Sequence, residues 1–275
     1  MSPDDTDNIS DLTRAPRQVL AFHKLLDRFS YSSTNYSPRR FVQLIRRLTE
    51  AGFSFNASDR GSSDKRLLIT FDDGYEHLAE VLPPLMDKFS LHPLIFVPTA
   101  NIGKDNTWDY SHWFQSTPHL DRRQIKVLSG KGAMFGSHGH SHRSLTGLSD
   151  GALKGELELS KAVLEDICGT EVNSLSYPFG RVDRRVREAA VKAGFRSGYT
   201  MKFPSMNDTP LARGRFSVYG FDSSFTILQR LKRGPLYPIE KAKAGFVNFL
   251  SGGTVLLHRL SGRGEAVDSS VDDGR

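Results

Sequence analysis

Short apolar runs and longer amphipathic stretches alternate along most of this chain. QVLAF comes before RRFVQLIRRLTEAG, RLLITF comes before HLAEVLPPLMDKF, and the same order continues as far as TVLLH. Short apolar runs of this kind indicate buried strands, and stretches with apolar residues three and four apart indicate helices. Strands that alternate with helices form βαβ units and a mainly parallel sheet. The chain carries about seven or eight such units, a number that favours an α/β barrel.

The folded domain is predicted to cover residues 17–260. Residues 1–16 and 261–275 are polar and lack periodicity, which is typical of flexible tails. A length of 275 residues, with 38% hydrophobic and 25% charged residues, suits one globular barrel. No apolar run is long enough for a transmembrane segment, and the acidic start lacks the order of a signal peptide. We therefore expect a soluble protein in the cytoplasm.

The charge balance gives little support to a nucleic-acid partner. The chain has 37 basic and 31 acidic residues, a net charge of +6. Such an excess suits either a mixed surface or an anionic substrate such as a lipid phosphate. The basic runs RRFVQLIRRL and RRVREAAVK have helical apolar spacing, so we expect their charges on outer helix faces. The single cysteine, Cys168, cannot form an intrachain disulfide.

Two adjacent aspartates end the predicted second strand. LLITFDDGY places Asp72 and Asp73 after an apolar run and before Gly74. Like charges side by side repel each other, and a metal ion would offset one of them. Gly74 permits a turn that directs both carboxylates into one pocket. The alternative is an ordinary loop in which Asp73 caps the following helix.

Three histidines follow a later predicted strand. GSHGHSHRSLTGLS contains His138, His140 and His142, and neutral imidazole is a common metal ligand. On a strand all three would share one face, whereas in a helical turn His138 and His142 would pair and His140 would point away. The cluster therefore favours a metal site and leaves two ligand sets open.

Other candidate residues lie at strand ends or in a long loop. TVLLHRL ends with His258, where barrel enzymes collect catalytic groups, although a histidine there can also bond to backbone. SYPFG, residues 176–180, is either a structural turn or part of the site. Trp108, in the loop 101–120, either stacks on a sugar ring or anchors the loop to the core. His23 either lines the pocket or bonds to backbone.

Together these motifs resemble those of the polysaccharide deacetylases of carbohydrate esterase family 4. TFDDG, His-x-x-x-His, an aromatic-Pro-aromatic-Gly turn and Leu-x-His occur in this order, each after a predicted strand. The likeness extends over residues 18–260 and includes LAFHKL and SPRRFVQLIRRLTEAGF, which are similar to the family's first strand and helix. It implies a distorted (β/α) barrel of about seven parallel strands, similar to a TIM barrel.

The resemblance also implies one divalent metal ion, held by Asp73, His138 and His142. Zinc is the expected ion, and cobalt, nickel, manganese or iron suits the same ligands. Asp72 matches the catalytic base, which takes a proton from the attacking water.

Further roles follow from the same resemblance. The backbone N–H of Phe179 matches an oxyanion donor, and His258 matches the acid that protonates the leaving amine. Leu256 matches the hydrophobic position beside the acyl methyl group. The residues that we expect to contact substrate are Tyr177, Pro178, Leu256, Trp108 and Arg215.

Three features depart from the family pattern. Ser176 stands where the third motif often begins with an arginine that holds the catalytic aspartate, and we expect Arg213 or Arg215 to replace that arginine. No Asp-Trp pair follows as a fourth motif, so the group that tunes His258 is unidentified. Gly139 stands where many members have serine or threonine.

The sequence therefore predicts a metal-dependent hydrolase that removes an N-acetyl group from an amino sugar. The sugar would belong to an oligosaccharide, a polysaccharide, or a lipid- or nucleotide-linked precursor, with peripheral membrane contact possible for a lipid-linked substrate. A deformylase or a cyclic-imide hydrolase is the alternative on the same scaffold. A barrel that binds carbohydrate without turnover is the alternative from another class. The sequence does not indicate an oligomeric state.

Overall fold

The computed structural model describes residues 18–27, 33–55, 65–106 and 117–245 of the chain. Within them lies one sheet of seven parallel strands in the order β6-β5-β4-β3-β2-β1-β7. The strands are β1 (Gln18–Phe22), β2 (Leu67–Phe71), β3 (Leu94–Val97), β4 (Met134–Ser137), β5 (Ser174–Ser176), β6 (Ser197–Tyr199) and β7 (Phe216–Ser217). The helices are α1 (Pro38–Glu50), α2 (Leu78–Val81), α3 (Pro83–Phe89), α4 (Arg122–Gly130), α5 (Asp150–Cys168), α6 (Arg184–Lys192) and α7 (Ser224–Leu231), and residues 237–245 are also helical. The predicted α/β fold with about seven parallel strands is confirmed.

The sheet curls until its two end strands approach each other. Phe96 of β3 contacts Tyr199 of β6, with ring centroids 5.4 Å apart, although two strands lie between them in the sheet. Tyr199 also pairs with Arg213 in an isolated parallel bridge, and Arg213 lies just before β7. We call this junction between β6 and the segment leading into β7 the seam. The curled sheet agrees with the distorted barrel that the resemblance implies.

The strand β2 shows how the sheet divides apolar and polar side chains. It is buried along its whole length, and strands covered on both faces are continuously apolar. Leu68 belongs to a small apolar cluster on the concave face with Phe96 and Tyr199. Thr70 and Asp72 continue the same face, because alternate residues of a strand share a side. The concave face therefore changes from apolar to polar toward the carboxyl end of the strand.

The helices cover the convex face of the sheet. In α1 the buried residues Phe41, Leu44, Ile45 and Leu48 follow the helical spacing of an amphipathic face. The stretch HLAEVLPPLMDKF, predicted as one unit, forms the two short helices α2 and α3. The break falls before Pro83, because proline lacks an N–H and its ring clashes with a continuing helix.

A buried ion network joins α7 to the last described helical residues. The Arg230 guanidinium lies 2.5 Å from an Asp222 carboxylate oxygen and 2.8 Å from one of Glu240. Lys243 contacts the same two side chains at 2.6 and 2.7 Å. Buried charges are tolerated where they are paired. The network therefore fixes residues 237–245 against the barrel.

Among the helices of these ranges, none combines the length and the apolar character that crossing a membrane requires. Trp108, Leu256 and His258 lie outside the described residues, as do the predicted tails 1–16 and 261–275. The expectations attached to these residues and to the domain limits stay predictions.

Candidate metal and catalytic site

Polar side chains from four strand ends meet at one edge of the sheet. His23 follows β1, Asp72 and Asp73 follow β2, and His138 follows β4. Ser176 ends β5, and its backbone carbonyl lies 2.8 Å from Nδ1 of His138. The carboxyl ends of parallel strands lie at the same edge of a barrel, which is where barrel enzymes place their sites.

Asp73, His138 and His142 form a compact set of metal-binding atoms. Oδ1 of Asp73 lies 3.6 Å from Nε2 of His138 and 3.4 Å from Nε2 of His142, and ligand atoms of the three residues all lie within 4.8 Å of one another. A tetrahedral metal with bonds of about 2.1 Å holds its ligand atoms about 3.4 Å apart. One carboxylate and two imidazoles at this spacing fit a divalent metal ion.

The backbone at this set adopts unusual conformations. Asp73 has φ +68°, His142 has φ +58° and Gly74 has φ +58°. A Cβ on Gly74 would lie 2.8 Å from Cγ2 of Val97, so the turn after β2 requires glycine for space as well as for conformation. This agrees with the turn expected at Gly74. The alternative role for Asp73 as a helix cap is not found, because the cap position of α2 is His77.

The protonation states suit metal binding. The carbonyl of Ser176 can only accept, so Nδ1 of His138 donates to it and Nε2 is the nitrogen directed toward Asp73. Burial lowers the pKa of His142 to about 3, which keeps its imidazole neutral at pH 7. Burial opposes ionisation of Asp73, but His142, His23 and His138 outweigh it and the pKa of Asp73 is lowered. The set therefore offers the anionic carboxylate of Asp73 and the neutral imidazole of His142, with Nε2 of His138 directed toward the same carboxylate.

Asp72 is held by a buried arginine. Nη1 and Nη2 of Arg215 each lie 2.7 Å from a different oxygen of Asp72. Arg215 is 1% exposed and Asp72 is 2% exposed. Burial alone would raise the pKa of Asp72, but the Arg215 guanidinium outweighs it and holds this pKa far below its usual range. Asp72 is therefore an oriented, ionised carboxylate beside the metal set.

The sequence left the arginine open between Arg213 and Arg215, and the structure shows that Arg215 makes the contact. Nη1 of Arg215 also donates to the Thr70 hydroxyl at 3.1 Å, and Nη2 donates to the Ser176 hydroxyl at 3.0 Å. Arg215 was also expected to contact substrate, but its guanidinium is buried behind Asp72. Ser176, the residue that departs from the family pattern, therefore accepts a hydrogen bond from Arg215. Arg215, and not Ser176, takes the place of the family's arginine.

The third histidine lies apart from the metal set. Nδ1 of His140 is 2.8 Å from the Thr99 hydroxyl, and His140 does not belong to the set of possible metal ligands. The two ligand sets that the spacing left open are thus reduced to the pair His138 and His142.

The turn after β5 lines one side of the site. Tyr177 is fully buried and donates its hydroxyl to the carbonyl of Leu211 at 2.7 Å. Pro178 is also buried. Phe179 has φ +59° and is 44% exposed, and its ring centroid lies 5.0 Å from that of His142. Of the three residues, Phe179 is the one whose side chain faces solvent beside the histidine.

Two more histidines approach the aspartates. Nε2 of His23 lies 4.0 Å from Oδ2 of Asp72, which favours the expectation that His23 lines the pocket. His119 is a residue that the sequence reasoning missed: it is 1% exposed, and Nδ1 lies 2.7 Å from the carbonyl oxygen of Asp73. Its ring stacks on Tyr75 at a centroid distance of 5.2 Å. The only sequence signal for it was its place in the long loop 101–120.

Comparison with known proteins identifies the family. The family model for polysaccharide deacetylases matches residues 59–198, just over half of the chain. The chain belongs to the polysaccharide deacetylase family. The resemblance found in the motifs is therefore confirmed.

One curated protein is similar to this chain in sequence, and solved deacetylase structures are similar to it in fold. The YxkH protein of Bacillus subtilis, which carries the family's name, is 30% identical over 142 residues, covering 52% of this chain and 47% of that protein. The chain thus spans about half the length of the curated relatives it matches. The Streptococcus pyogenes deacetylase PplD in complex with acetate superposes with a TM-score of 0.66 at 19% identity, over 78% of this chain and 97% of that one. BC0361, a polysaccharide deacetylase from Bacillus cereus, gives 0.64 at 22% identity, over 78% and 68%.

Proposed function

We propose that this polysaccharide deacetylase homologue is a metal-dependent hydrolase that removes an N-acetyl group from an amino sugar. One observation carries the proposal: a set of metal ligands and an ionised carboxylate lie side by side at one edge of the sheet. Asp73, His138 and His142 offer metal ligands, and Asp72 beside them is ionised and held by Arg215. The S. pyogenes relative was solved with acetate, the product that such a reaction releases.

The metal would be held by Asp73, His138 and His142, and zinc is the ion we favour among zinc, cobalt, nickel, manganese and iron. When bound, a divalent metal polarises the amide carbonyl and lowers the pKa of water. Other residues of the chain orient the ligands. His138 is fixed by its hydrogen bond to Ser176, and such outer contacts orient imidazole ligands.

Asp72 is proposed as the general base. Its carboxylate accepts a proton from the water that attacks the carbonyl carbon, and Arg215 keeps the carboxylate ionised and aimed. The C–N bond then breaks, the acyl group leaves as acetate, and the amine takes up a proton. The N–H of Phe179 is proposed as a donor to the oxyanion, and His258 as the acid that protonates the amine.

The surface beside the metal set bears on the substrate class. Phe179 provides an exposed aromatic ring beside His142, and aromatic faces suit pyranose rings. The net charge of +6 agrees with a phosphate-linked precursor as well as with a neutral oligosaccharide. A cytoplasmic location stays a prediction, which fractionation of cells tests directly.

Product analysis tests the proposed reaction. Metal-loaded protein is incubated with chitooligosaccharides, N-acylated amino sugars and sugar nucleotides, with and without EDTA, and acetate and formate are measured. We expect acetate that disappears with the chelator. Formate without acetate would transfer the chain to the deformylases. No product from any substrate of the panel would favour a barrel that binds carbohydrate without turnover.

A further inference from the structure

The loop that carries the two histidine ligands has a conformation that needs support. Residues 138–142 form neither strand nor helix. Gly139 has φ +74° and His142 has φ +58°. A left-handed conformation at a residue with a Cβ costs free energy and persists only where the surroundings fix it. Side chains outside the loop must therefore hold it in this conformation.

Glu156 of α5 binds the loop through three donors. Its Oε2 accepts the backbone N–H of His140 at 2.7 Å and that of Ser141 at 2.9 Å. Its Oε1 accepts the hydroxyl of Ser141. Glu156 is 9% exposed, and a buried carboxylate requires donors that compensate it. The loop supplies these donors, so the carboxylate and the loop fix each other.

A second contact from the same face of α5 holds the start of the loop. Ser160 lies four residues after Glu156, so the two side chains share one face of the helix. Its hydroxyl is 2.6 Å from that of Ser137, which in turn accepts the N–H of Gly139 at 3.0 Å. A Cβ on Gly139 would lie 3.2 Å from Oε2 of Glu156. The loop is thus packed closely against this face of α5.

We propose that Glu156 is a positioning residue for the metal site. It fixes the loop so that His138 and His142 present Nε2 toward Asp73 at the spacing a metal requires, and it is not itself one of the ligands. This inference rests on the proposed metal site. Loss of the acceptor should therefore weaken metal binding while the barrel stays folded.

The test compares two replacements of Glu156. Glu156→Gln keeps a carbonyl oxygen that can accept both backbone N–H groups, and its amide can donate to the Ser141 hydroxyl. Glu156→Met keeps length and helix propensity but removes both carboxylate oxygens. Glu158→Gln and Glu158→Met are the matched controls, because Glu158 lies on the same helix with its side chain 52% exposed.

Metal dissociation constants are measured for Zn²⁺ and Co²⁺ by competition with a chelator, on protein whose fold is checked by circular dichroism. We expect Glu156→Met to raise the Kd about 10- to 100-fold, as for other residues that orient metal ligands. Glu156→Gln should stay within a few-fold of the unchanged protein, and both Glu158 variants should equal it. The visible spectrum of the Co²⁺ form should change in Glu156→Met, which a purely structural role would not produce.

The outcomes separate this inference from the metal site itself. If folded Glu156→Met binds metal as tightly as the unchanged protein, the positioning role is wrong and the metal site stands. If the unchanged protein binds neither ion, the proposed metal site fails and this role fails with it. Should Glu156→Met not fold, Ser141→Ala decides, since it removes one donor and leaves α5 intact. A several-fold weaker Kd in that variant supports the role, and an unchanged Kd overturns it.

Discussion

Arg215 and Asp72 form a two-point ion pair across the concave face of the sheet, with both N–O distances at 2.7 Å. Asp72 follows β2, whereas Arg215 lies beside the seam just before β7. The family pattern often supplies this arginine from the third motif, where this chain has Ser176. In this chain the arginine that holds the carboxylate comes instead from the segment before β7.

We expect Arg215→Lys to reduce turnover on the order of a hundredfold, because a single ammonium cannot hold both oxygens of Asp72 and the carboxylate loses its aim. The guanidinium lowers the pKa of Asp72. Its loss should therefore raise that pKa and move the acid limb of the pH profile of kcat/KM to higher pH. The matched change Arg213→Lys should leave that limb in place. If the acid limb of the pH profile does not move in Arg215→Lys, Arg215 does not control the ionisation of Asp72.

Asp72→Asn should keep the metal and lose turnover by about a hundredfold or more, because an amide cannot accept the proton of the attacking water. Metal content and the rate of acetate release are measured on the same preparation. Normal turnover by Asp72→Asn would assign the base to another group.

Asp73→Ala and His142→Ala should each remove the metal, because two protein ligands rarely hold a divalent ion in water. Metal content after dialysis is measured by mass spectrometry. His140→Ala, which changes the histidine outside the ligand set, should retain a full equivalent. Full occupancy of either ligand variant would refute the proposed set.

The metal-free protein should lose stability as the pH falls below about 6.5, the ordinary pKa of histidine. His142 has a folded-state pKa of about 3 because it is buried. Between these values the unfolded chain binds a proton that the folded chain does not, so acid favours unfolding by up to about 1.4 kcal/mol per pH unit. Urea unfolding in EDTA from pH 7.5 to 4.5 measures this slope. His142→Gln should flatten it, whereas His140→Gln should not.

Arg230→Met should cost about 3–5 kcal/mol of unfolding free energy, because it leaves the buried carboxylates of Asp222 and Glu240 without their main cation. Urea unfolding at neutral pH is the measurement. The exposed ion pair of Arg184 with Glu188 gives the comparison. Arg184→Met should leave the midpoint unchanged, and a similar loss in both variants would contradict a special role for the buried network.

Much of the fold and of the candidate site follows from local patterns. β3 is a continuous apolar run, β2 is apolar except for Thr70, and α1 buries residues at helical spacing. Asp73 and His138 became candidates because they closely follow predicted strands, and the family resemblance added His142 as the third ligand. Each of these signals is contained in a short stretch of sequence. Reading it therefore requires no knowledge of contacts between distant segments.

What the sequence could not show depends on contacts between distant segments. Arg213 and Arg215 lie in the same short segment, and nothing in the sequence shows which of them contacts Asp72. The register at the seam directs Arg215 toward that carboxylate. Glu156 lies in a helix with many charged residues, and its neighbours in sequence do not reveal the loop that it binds. His119 is separated by 46 residues from the carbonyl that it contacts. Each of these roles arises from tertiary packing.

The hydrogen bonds that close the seam also hold the arginine that contacts Asp72. The N–H of Thr200 donates to the carbonyl of Arg213 at 2.8 Å, and Nε of Arg215 donates to the carbonyl of Thr200 at 3.2 Å. A fluctuation that separates these strands therefore also releases the guanidinium from Asp72. Exchange of the Thr200 amide hydrogen with deuterium reports how often this happens. The open population measured in that way is also the population of molecules in which Asp72, the proposed general base, has lost its arginine.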